Sequence, residues 1–350
     1  SDKTQVLLSW DHEVIDQLAR PAIGIVAVPP TPGLPAYPAD PATYLDPLKA
    51  PVYNDVIGNE ESRKLDAATL FIDHAFSWSD FRSTTAWRTF ETVNREDEDG
   101  TNRIALYFDT ANVEDNTSFY QEFKLSGQSD AIDWVAGVSY YSEDAEQASD
   151  THAFTDSIDT VLRNLGLAGT SDGTLFGFTS DVLAANGIPL TMRGLPWREV
   201  MNNEGTFEAT ALFGDVIWHA TDRMNVTFGL RYTHDEKEFS WLNGPRQAPE
   251  LDATVAALEA GGFFADPAWP IPPEAYNFDV VFAFPPINGQ EIEGQKVKLQ
   301  DSWDDISPRL VIDYRVTSDV MVFGSLAKGY KAGGFNSVQP LSRFDNEDVW

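Results

Sequence analysis

The chain has 350 residues, and 55 Asp and Glu residues against 24 Lys and Arg residues give it a formal net charge of -31. This charge disfavours nucleic-acid binding, because phosphate contacts need a basic face. The sequence contains no cysteine, which excludes disulfides and thiolate metal sites. No segment approaches the run of about 20 apolar residues that a membrane-spanning helix needs.

Alternation of apolar and polar residues predicts about nine β-strands, because successive strand residues point to opposite faces. In 306–316, the even positions carry apolar residues such as Leu310 and Ile312, and most odd positions carry polar or charged residues. The same clear pattern occurs at 132–140 and 224–232. Weaker alternation predicts the remaining strands at 4–10, 68–78, 81–93, 117–128, 206–219 and 319–330.

Short and long connections alternate along the chain. The short turns are 77–80, 128–131, 220–223 and 316–319, and the long segments are 12–66, 94–116, 144–205, 240–302 and 331 onward. Outer-membrane barrels place short turns at the periplasmic end and long loops outside. Aromatic residues at strand ends fit a membrane interface, although they also favour strands in general. The sequence therefore predicts an all-β chain, part of a transmembrane antiparallel up-and-down β-barrel with long extracellular loops.

Three of the long segments contain interpretable structure. Residues 155–166 predict a short helix with Thr155 as its N-cap, and 249–262 predict a second helix, each closed by glycine. The proline-punctuated stretch 41–55 is expected to be irregular. The aromatic, Pro-rich stretch 263–278 either presents stacking surfaces to a ligand or packs on neighbouring loops.

The stretch "NREDEDGTN" (94–102) resembles a calcium loop only superficially. Aligning Gly100 with the invariant glycine of such loops places Arg95 and Leu106 at ligand positions, and neither side chain suits calcium. We interpret this stretch as a solvated acidic loop with at most loose divalent-cation binding.

Other polar stretches do not predict catalysis. We interpret "THDEKEF" (233–239) as a solvated extracellular rim and the glycines of 166–177 as loop punctuation. The five histidines lack paired metal-ligand spacing, and no Gly-x-Ser-x-Gly motif is present. We therefore expect no enzyme activity, no catalytic residue, no metal site and no cofactor.

Several stretches resemble one protein family. "SPRLVIDYRVTSDVMVFGSLAKGYKAGGFN" (307–336) resembles the barrel segment of TonB-dependent receptors, with its Ser-Pro-Arg strand, Thr-x-Asp turn and Lys-Gly-Tyr-Lys-x-Gly-Gly-Phe-Asn strand end. "LFGDVIWHATDRMNVTFGLRYTHDEKEFS" (212–240) is similar to the preceding hairpin, and 81–100 and 119–141 match as well. The resemblance covers nearly every predicted strand, whereas the long loops match only in placement.

The resemblance implies a barrel of about 22 strands around a plugged lumen. An N-terminal plug domain and a TonB-contacting box belong to that family pattern and are absent from this sequence. About nine strands would leave bare sheet edges, which lipid does not tolerate. We therefore expect residues 1–350 to be part of a TonB-dependent receptor β-barrel domain, an internal fragment of a longer receptor.

The resemblance also directs the assignment of faces and candidate sites. The even-numbered face of 306–316 is expected to face lipid and the odd-numbered face the barrel interior, with Pro308 at a bulge or a strand's beginning. The candidates for substrate binding are Arg231, Arg309 and Arg315. These arginines are expected either to pair with inward carboxylates such as Asp305 and Asp313, or to contact the plug or the substrate path. The family motif is expected to form a backbone kink rather than a ligand site; its residues are Lys328, Gly329, Tyr330, Lys331, Gly333, Gly334, Phe335 and Asn336.

The function implied by the resemblance is uptake of a scarce large nutrient across the outer membrane of a Gram-negative bacterium. An iron–siderophore complex is the commonest family cargo. Expected partners are that ligand, the TonB complex of the inner membrane through the plug, lipopolysaccharide and outer-membrane lipid. A passive porin-type channel is the alternative, followed by a soluble secreted adhesion protein. The substrate stays open, because a net charge of -31 repels anionic siderophores at long range.

Overall fold

The computed structural model describes residues 3–23, 52–282 and 294–335, together with residues 28, 30, 36, 46, 48–49, 343–344 and 347–349. Within this part of the chain, nine long strands form one antiparallel sheet in which each strand pairs with its neighbours in sequence. This order confirms the predicted up-and-down meander. The strands are β1 (Thr4–Gln17), β2 (Glu61–Ala75), β3 (Asp80–Asp97), β4 (Phe108–Gln128), β5 (Ile132–Phe154), β6 (Pro196–Thr221), β7 (Met224–Asn243), β8 (Val297–Arg315) and β9 (Met321–Ala327).

The two faces of the sheet differ in exposure as the sequence alternation predicts. On β7, Phe228 is 55% exposed, whereas the adjacent Thr227 is 7% exposed. On β8, Ile306 is exposed and Asp305 is buried. Large apolar side chains therefore cover the outer face, and small or polar side chains crowd the inner face, which is the arrangement of a barrel wall in lipid.

Aromatic residues bound the apolar outer face at both ends. Near the short turns, Phe76, Trp78 and Trp134 stack in a row with ring centroids 6.1 and 6.3 Å apart. A second row crosses the same face farther along the strands and comprises Trp10, Trp87, Phe119, Tyr140 and Tyr232. On β7, eight residues separate Met224 from Tyr232, or about 27 Å at about 3.4 Å per residue. With a strand tilt of about 40°, this length spans about 21 Å along the membrane normal, slightly less than the roughly 25 Å apolar band of membrane barrels.

The strands continue well beyond the second aromatic row. β6 has 26 residues, and its outward positions above the row carry Glu204 and Glu208 instead of apolar groups. The segments expected as long loops at 94–116 and 144–205 consequently shorten to 98–107 and 155–195. Above the apolar band both faces meet water, so the alternation that predicted the strands disappears while backbone pairing continues.

The larger hydrophobic core lies mainly in the long connections, with Ala153 and Trp197 contributed by the adjoining ends of β5 and β6. Two helices were predicted and are present, α1 (Thr155–Leu165) and, after the intervening α2 (Phe176–Ala185), α3 (Pro249–Ala260). The N-cap of α1 is Phe154 and not Thr155, because Thr155 already has a helical position. Among the described residues, no helix is long and apolar enough to cross a membrane. The buried core residues are Ala153, Ile158, Leu162, Leu175, Phe176, Leu183, Met192, Trp197, Ala248, Leu251, Leu258 and Tyr276.

The stretch 263–278 packs on neighbouring loops, one of its two predicted roles. Phe263, Phe264 and Phe278 pack against the core just described, and Tyr276 is 1% exposed. Most of the stretch 41–55, expected to be irregular, lies outside the described residues.

Helix α2 was not predicted, because its N-terminus is capped by a residue distant in sequence. The buried carboxylate of Asp159 on α1 accepts hydrogen bonds from the backbone amides of Leu175, Phe176 and Gly177 at 2.6, 3.0 and 2.7 Å. Backbone N–H groups at the start of a helix have no acceptor within the helix, and a neighbouring side chain in the sequence usually accepts their hydrogen bonds. Of the glycines in 166–177, only Gly177 lies in this helix, whereas Gly166, Gly169 and Gly173 have positive φ in the connection before it, as expected for loop glycines.

Pro308 occupies neither a bulge nor a strand beginning. It lies within β8, and pairing with β7 runs without interruption through Pro308 and Leu230. Pairing with β9 begins only at Arg309 and Ala327, and Lys328 donates its amide to the Pro308 carbonyl at 3.0 Å. The missing proline N–H therefore falls where the ladder to β9 ends, which avoids the loss of a hydrogen bond.

A buried ion network joins β3, β4, β5 and β6 above the apolar band. Arg95 lies 2.6 Å from Asp109 and 3.0 Å from Asp150, and the three side chains are at most 9% exposed. Arg198 lies 2.7 Å from Asp150. Burial opposes ionisation of Asp150, but hydrogen bonds from Arg198 and Arg95 hold its pKa below the ordinary value. The network ties together the strand ends that carry the loops.

Substitutions on β7 test the assignment of faces. Phe228→Arg should destabilise the full-length barrel by about 2–4 kcal/mol, the cost of an arginine facing mid-bilayer. Phe228→Ala should be milder, because lipid chains fill the space, whereas in a soluble core it would cost about 3–5 kcal/mol. Thr227→Arg serves as the inner-face control and should cost less than Phe228→Arg. Reversible unfolding in a bilayer mimetic measures all three, and equal damage from the two arginines contradicts the assignment.

Removal of Arg95 tests the ion network. Arg95→Met leaves two buried carboxylates without this partner and should lower the local stability of the upper strand ends by about 3–5 kcal/mol. Amide hydrogen exchange of residues 95–97, 109–111 and 150–152 in the full-length protein measures this change. The control is Arg193→Met, which breaks an exposed pair with Asp181 at 2.9 Å and should cost about 0–1 kcal/mol.

The pH dependence of the same exchange follows from Asp150. Because its folded pKa lies below the ordinary 3.8, its contribution is complete above that value and is lost as the pH falls below it. Protection should therefore hold from pH 7 to about pH 5 and decline below about pH 4. A loss of protection centred near neutral pH would show that Asp150 does not stabilise the strand ends through these pairs.

Candidate functional site

The inner face of the sheet carries pairs of tyrosine and carboxylate side chains near the level of the second aromatic row. The Tyr120 hydroxyl donates to Glu122 at 3.0 Å, and the Tyr141 hydroxyl donates to Glu143. A cleft of about 370 Å³ lies beside the second pair and extends to Asp235 and Lys237 on β7. The resulting surface is polar, hydrogen-bonded and acidic, and it suits contact with a hydrophilic ligand or protein segment.

The family motif begins where β9 leaves the sheet. The Lys328 ammonium lies 2.5 Å from Asp305, which is 5% exposed. The Tyr330 hydroxyl donates to Asp235 on β7 at 2.8 Å. Since β8 separates β9 from β7 in the sheet, the motif crosses the inner face of β8 instead of extending the wall.

Further contacts fix the end of the motif. Lys237 donates to the Gly333 carbonyl at 2.7 Å, and Phe335 stacks on Phe239 with ring centroids 6.1 Å apart. Burial raises the pKa of Tyr330, with the Asp235 carboxylate adding to the effect, and burial lowers the pKa of Lys237. Asn336, the last motif residue, lies outside the described residues. These contacts of Lys328, Tyr330, Gly333 and Phe335 are with β7 and β8 of the wall.

The remaining motif residues take part in short strand pairs. Gly329, Tyr330 and Lys331 pair with Glu347–Val349, and Gly334 and Phe335 pair with Arg343–Phe344. That the motif forms a backbone kink rather than a ligand site stays a prediction.

Only two of the three candidate arginines lie near each other. Arg231 pairs with Ser307 and Arg309 with Gly229, so Arg231 and Arg309 are diagonal neighbours on the inner face, whereas Arg315 lies beside the short turn. Arg231 lies over the Phe213 ring at 5.6 Å and donates to Thr233 at 3.1 Å. Arg309 and Arg315 are exposed. Whether any of them contacts a substrate or a plug stays a prediction.

The expected pairing of these arginines with inward carboxylates is wrong for the described residues. Asp305 instead pairs with Lys328. Asp313 accepts a hydrogen bond from Asn225 at 3.0 Å. Both carboxylates therefore have partners on neighbouring strands that their position in the sequence does not indicate.

Two interpretations of charged stretches are corrected. In 94–102, Arg95, Asp97 and Thr101 are buried, so this connection is not a solvated acidic loop. Residues 233–239 belong to β7, and its inward positions Asp235 and Lys237 contact the family motif. The alternation of residues in the sequence indicates that Asp235 and Lys237 share one face of the strand. It does not reveal their contacts with the motif, because the motif residues lie more than ninety positions away in sequence.

Comparison with known proteins places this wall segment in a family. The family described as TonB dependent receptor-like, beta-barrel, matches residues 35–346. Comparison with curated proteins gives no match.

A solved structure of an uptake receptor is similar in fold to this chain. The crystal structure of the ferric yersiniabactin uptake receptor FyuA from Yersinia pestis has a TM-score of 0.57 at 15% sequence identity, over 99% of this chain and 38% of that receptor. The open form of the ferric-catecholate import receptor Fiu from E. coli K12 has a TM-score of 0.48 at 12% identity, over 93% of this chain and 44% of that one. This chain thus spans less than half the length of either receptor. Because the family match extends over most of the sequence, the chain belongs to the β-barrel family of TonB-dependent receptors, a family of transport receptors found in Gram-negative outer membranes.

Proposed function

We propose that this chain is the wall segment of an outer-membrane receptor that takes up a scarce large nutrient, an iron–siderophore complex, with energy supplied through TonB. The observation that carries the proposal is the family match over residues 35–346. The barrel-like fold shared with the ferric yersiniabactin receptor supports it.

The chemistry of the two faces supports a transport role. An apolar outer band suits lipid, whereas the inner face offers tyrosine hydroxyls and carboxylates to a polar cargo or to a plug. Arg231, held over Phe213 on the inner face, offers a cation to an anionic ligand. The formal charge of -31 opposes long-range attraction of such ligands, so local cations of this kind would have to provide the binding.

The plug and its coupling are part of the same proposal. The motif residues 328–335 and the polar inner face offer contact surfaces for a domain inside the barrel. In the proposed mechanism, cargo binds between the extracellular connections and the plug, and TonB then remodels the plug. A passive porin-type channel would need neither the plug nor the coupling.

Cysteine labelling tests the proposed orientation. Single cysteines at Ser77, Ser129, Thr221 and Ser318, all exposed at short turns, should resist an impermeant thiol reagent on whole cells, because these turns face the periplasm. Cysteines at the exposed loop positions Ser171 and Glu259 should react. All six should react after the outer membrane is permeabilised. Labelling of two or more turn sites on intact cells contradicts the orientation.

Uptake by the complete receptor tests the function. A receptor-deficient Gram-negative host that carries the full-length gene should accumulate radioactive iron from a panel of ferric siderophores. Accumulation should fall at least tenfold when tonB is deleted or the proton gradient is collapsed. Uptake that persists without TonB would instead support a passive channel, and no uptake of any panel member would refute the siderophore assignment.

Arg231→Gln, with the exposed Arg223→Gln at a short turn as control, then asks whether the inner-face cation contributes to uptake.

A further inference from the structure

Three carboxylates from two different connections converge near the ion network. Asp55 lies between β1 and β2, whereas Asp97 ends β3 and Asp99 begins the connection to β4. One carboxylate oxygen from each of the three lies within 4.8 Å of the others. Local sequence does not bring these residues together, because Asp55 and Asp97 are separated by two complete strands.

Asp97 has a buried oxygen without a partner. The residue is 5% exposed, and its Oδ1 accepts hydrogen bonds from the backbone amides of Asp99 and Gly100 at 2.9 and 2.7 Å. Its Oδ2 is buried and receives no hydrogen bond from any described residue. A buried carboxylate oxygen in this state carries a desolvation cost that a bound cation would offset.

The other two carboxylates share this environment. Asp99 is oriented by the Thr101 amide, which donates to Asp99 Oδ1 at 2.9 Å. Asp55 Oδ1 is buried without a hydrogen-bond donor. Burial raises the pKa of Asp55 to about 6, and the negative charges of Asp99 and Asp97 add to the increase. The three carboxylates thus place oxygens close enough together for one cation to contact all of them.

Arg95, the basic side chain nearest to Asp97 in sequence, does not form an ion pair with the cluster. No ion pair among the described residues involves Asp55, Asp97 or Asp99. Arg95, two residues before Asp97, directs its guanidinium to Asp109 and Asp150 instead.

We propose that Asp55, Asp97 and Asp99 bind one hard divalent cation, Ca²⁺, which joins the β1–β2 connection to the β3–β4 connection. Calcium prefers oxygen ligands at about 2.3–2.6 Å, so two oxygens on one ion lie at most about 5 Å apart. The 4.8 Å cluster meets this condition, and its purely carboxylate donors disfavour softer metals. Water completes the coordination shell. The site serves to fix the extracellular connections and does not depend on which ligand the receptor carries.

Calcium titration of the full-length receptor in detergent, monitored by calorimetry after chelator treatment, tests the site. Binding of one Ca²⁺ at this position predicts that Asp97→Asn weakens the affinity at least tenfold. The substitution keeps the shape of the side chain and its acceptor for the Asp99 and Gly100 amides. Glu98→Gln is the matched control, since it removes one charge from an exposed residue between Asp97 and Asp99, and it should change the affinity by less than threefold.

Hydrogen exchange gives a second readout that is independent of calorimetry. Calcium should slow exchange in residues 52–58 and 97–108 of the unsubstituted receptor and of Glu98→Gln, but not of Asp97→Asn or Asp55→Asn. In chelator, Asp97→Asn should be at least as protected as the unsubstituted protein, because it removes an uncompensated buried charge. Failure of the unsubstituted receptor to bind calcium at millimolar concentration overturns the proposal, as does unchanged affinity in Asp97→Asn.

Discussion

Backbone hydrogen bonding across neighbouring strands is the constraint on which the rest of this structure depends. An apolar solvent offers no partner to an N–H or C=O group, so a wall in lipid must satisfy each one through the adjacent strand. The pairing of β5 with β6 runs without a break from Ile132 and Trp218 to Phe154 and Pro196. Side-chain packing contributes little to the wall, since residues such as Phe228 and Leu212 remain more than half exposed on the outer face.

Because the wall does not bury its own apolar face, the buried core forms elsewhere. It lies in the connections, where the helices and the 263–278 stretch enclose Phe176 and Trp197. Carboxylates hold these connections together through backbone amides. Glu199, 1% exposed, accepts hydrogen bonds from Val280, Val281 and Phe282 at 2.8–3.0 Å. One buried acid thereby fastens a distant segment to β6 without any lysine or arginine.

The sequence predicts the wall better than it predicts the loops, and the reason is the change of solvent. Within the apolar band, lipid on one side requires apolar and polar residues to alternate strictly along a strand. The sequence therefore assigns Thr227 to the inner face and Phe228 to the outer face. Above the band, water meets both faces of the sheet. The part of β6 between Pro196 and Glu204 therefore shows no alternation of apolar and polar residues that would predict a strand. Contacts across the chain are equally hidden. The cap of α2 by Asp159 and the burial of Asp97 depend on neighbours brought close only by strand pairing.

The compensation of buried acids explains how so acidic a chain folds. The chain has 55 acidic and 24 basic residues, and among the described residues ion pairs reach only some of the buried carboxylates. Asp150 is neutralised by Arg95 and Arg198, whereas Asp159 is compensated by backbone amides alone. Backbone amides reach only one oxygen of Asp97, and the other stays buried. The cation that we propose at Asp55, Asp97 and Asp99 would give this oxygen a partner, because a single divalent ion balances several charges at once.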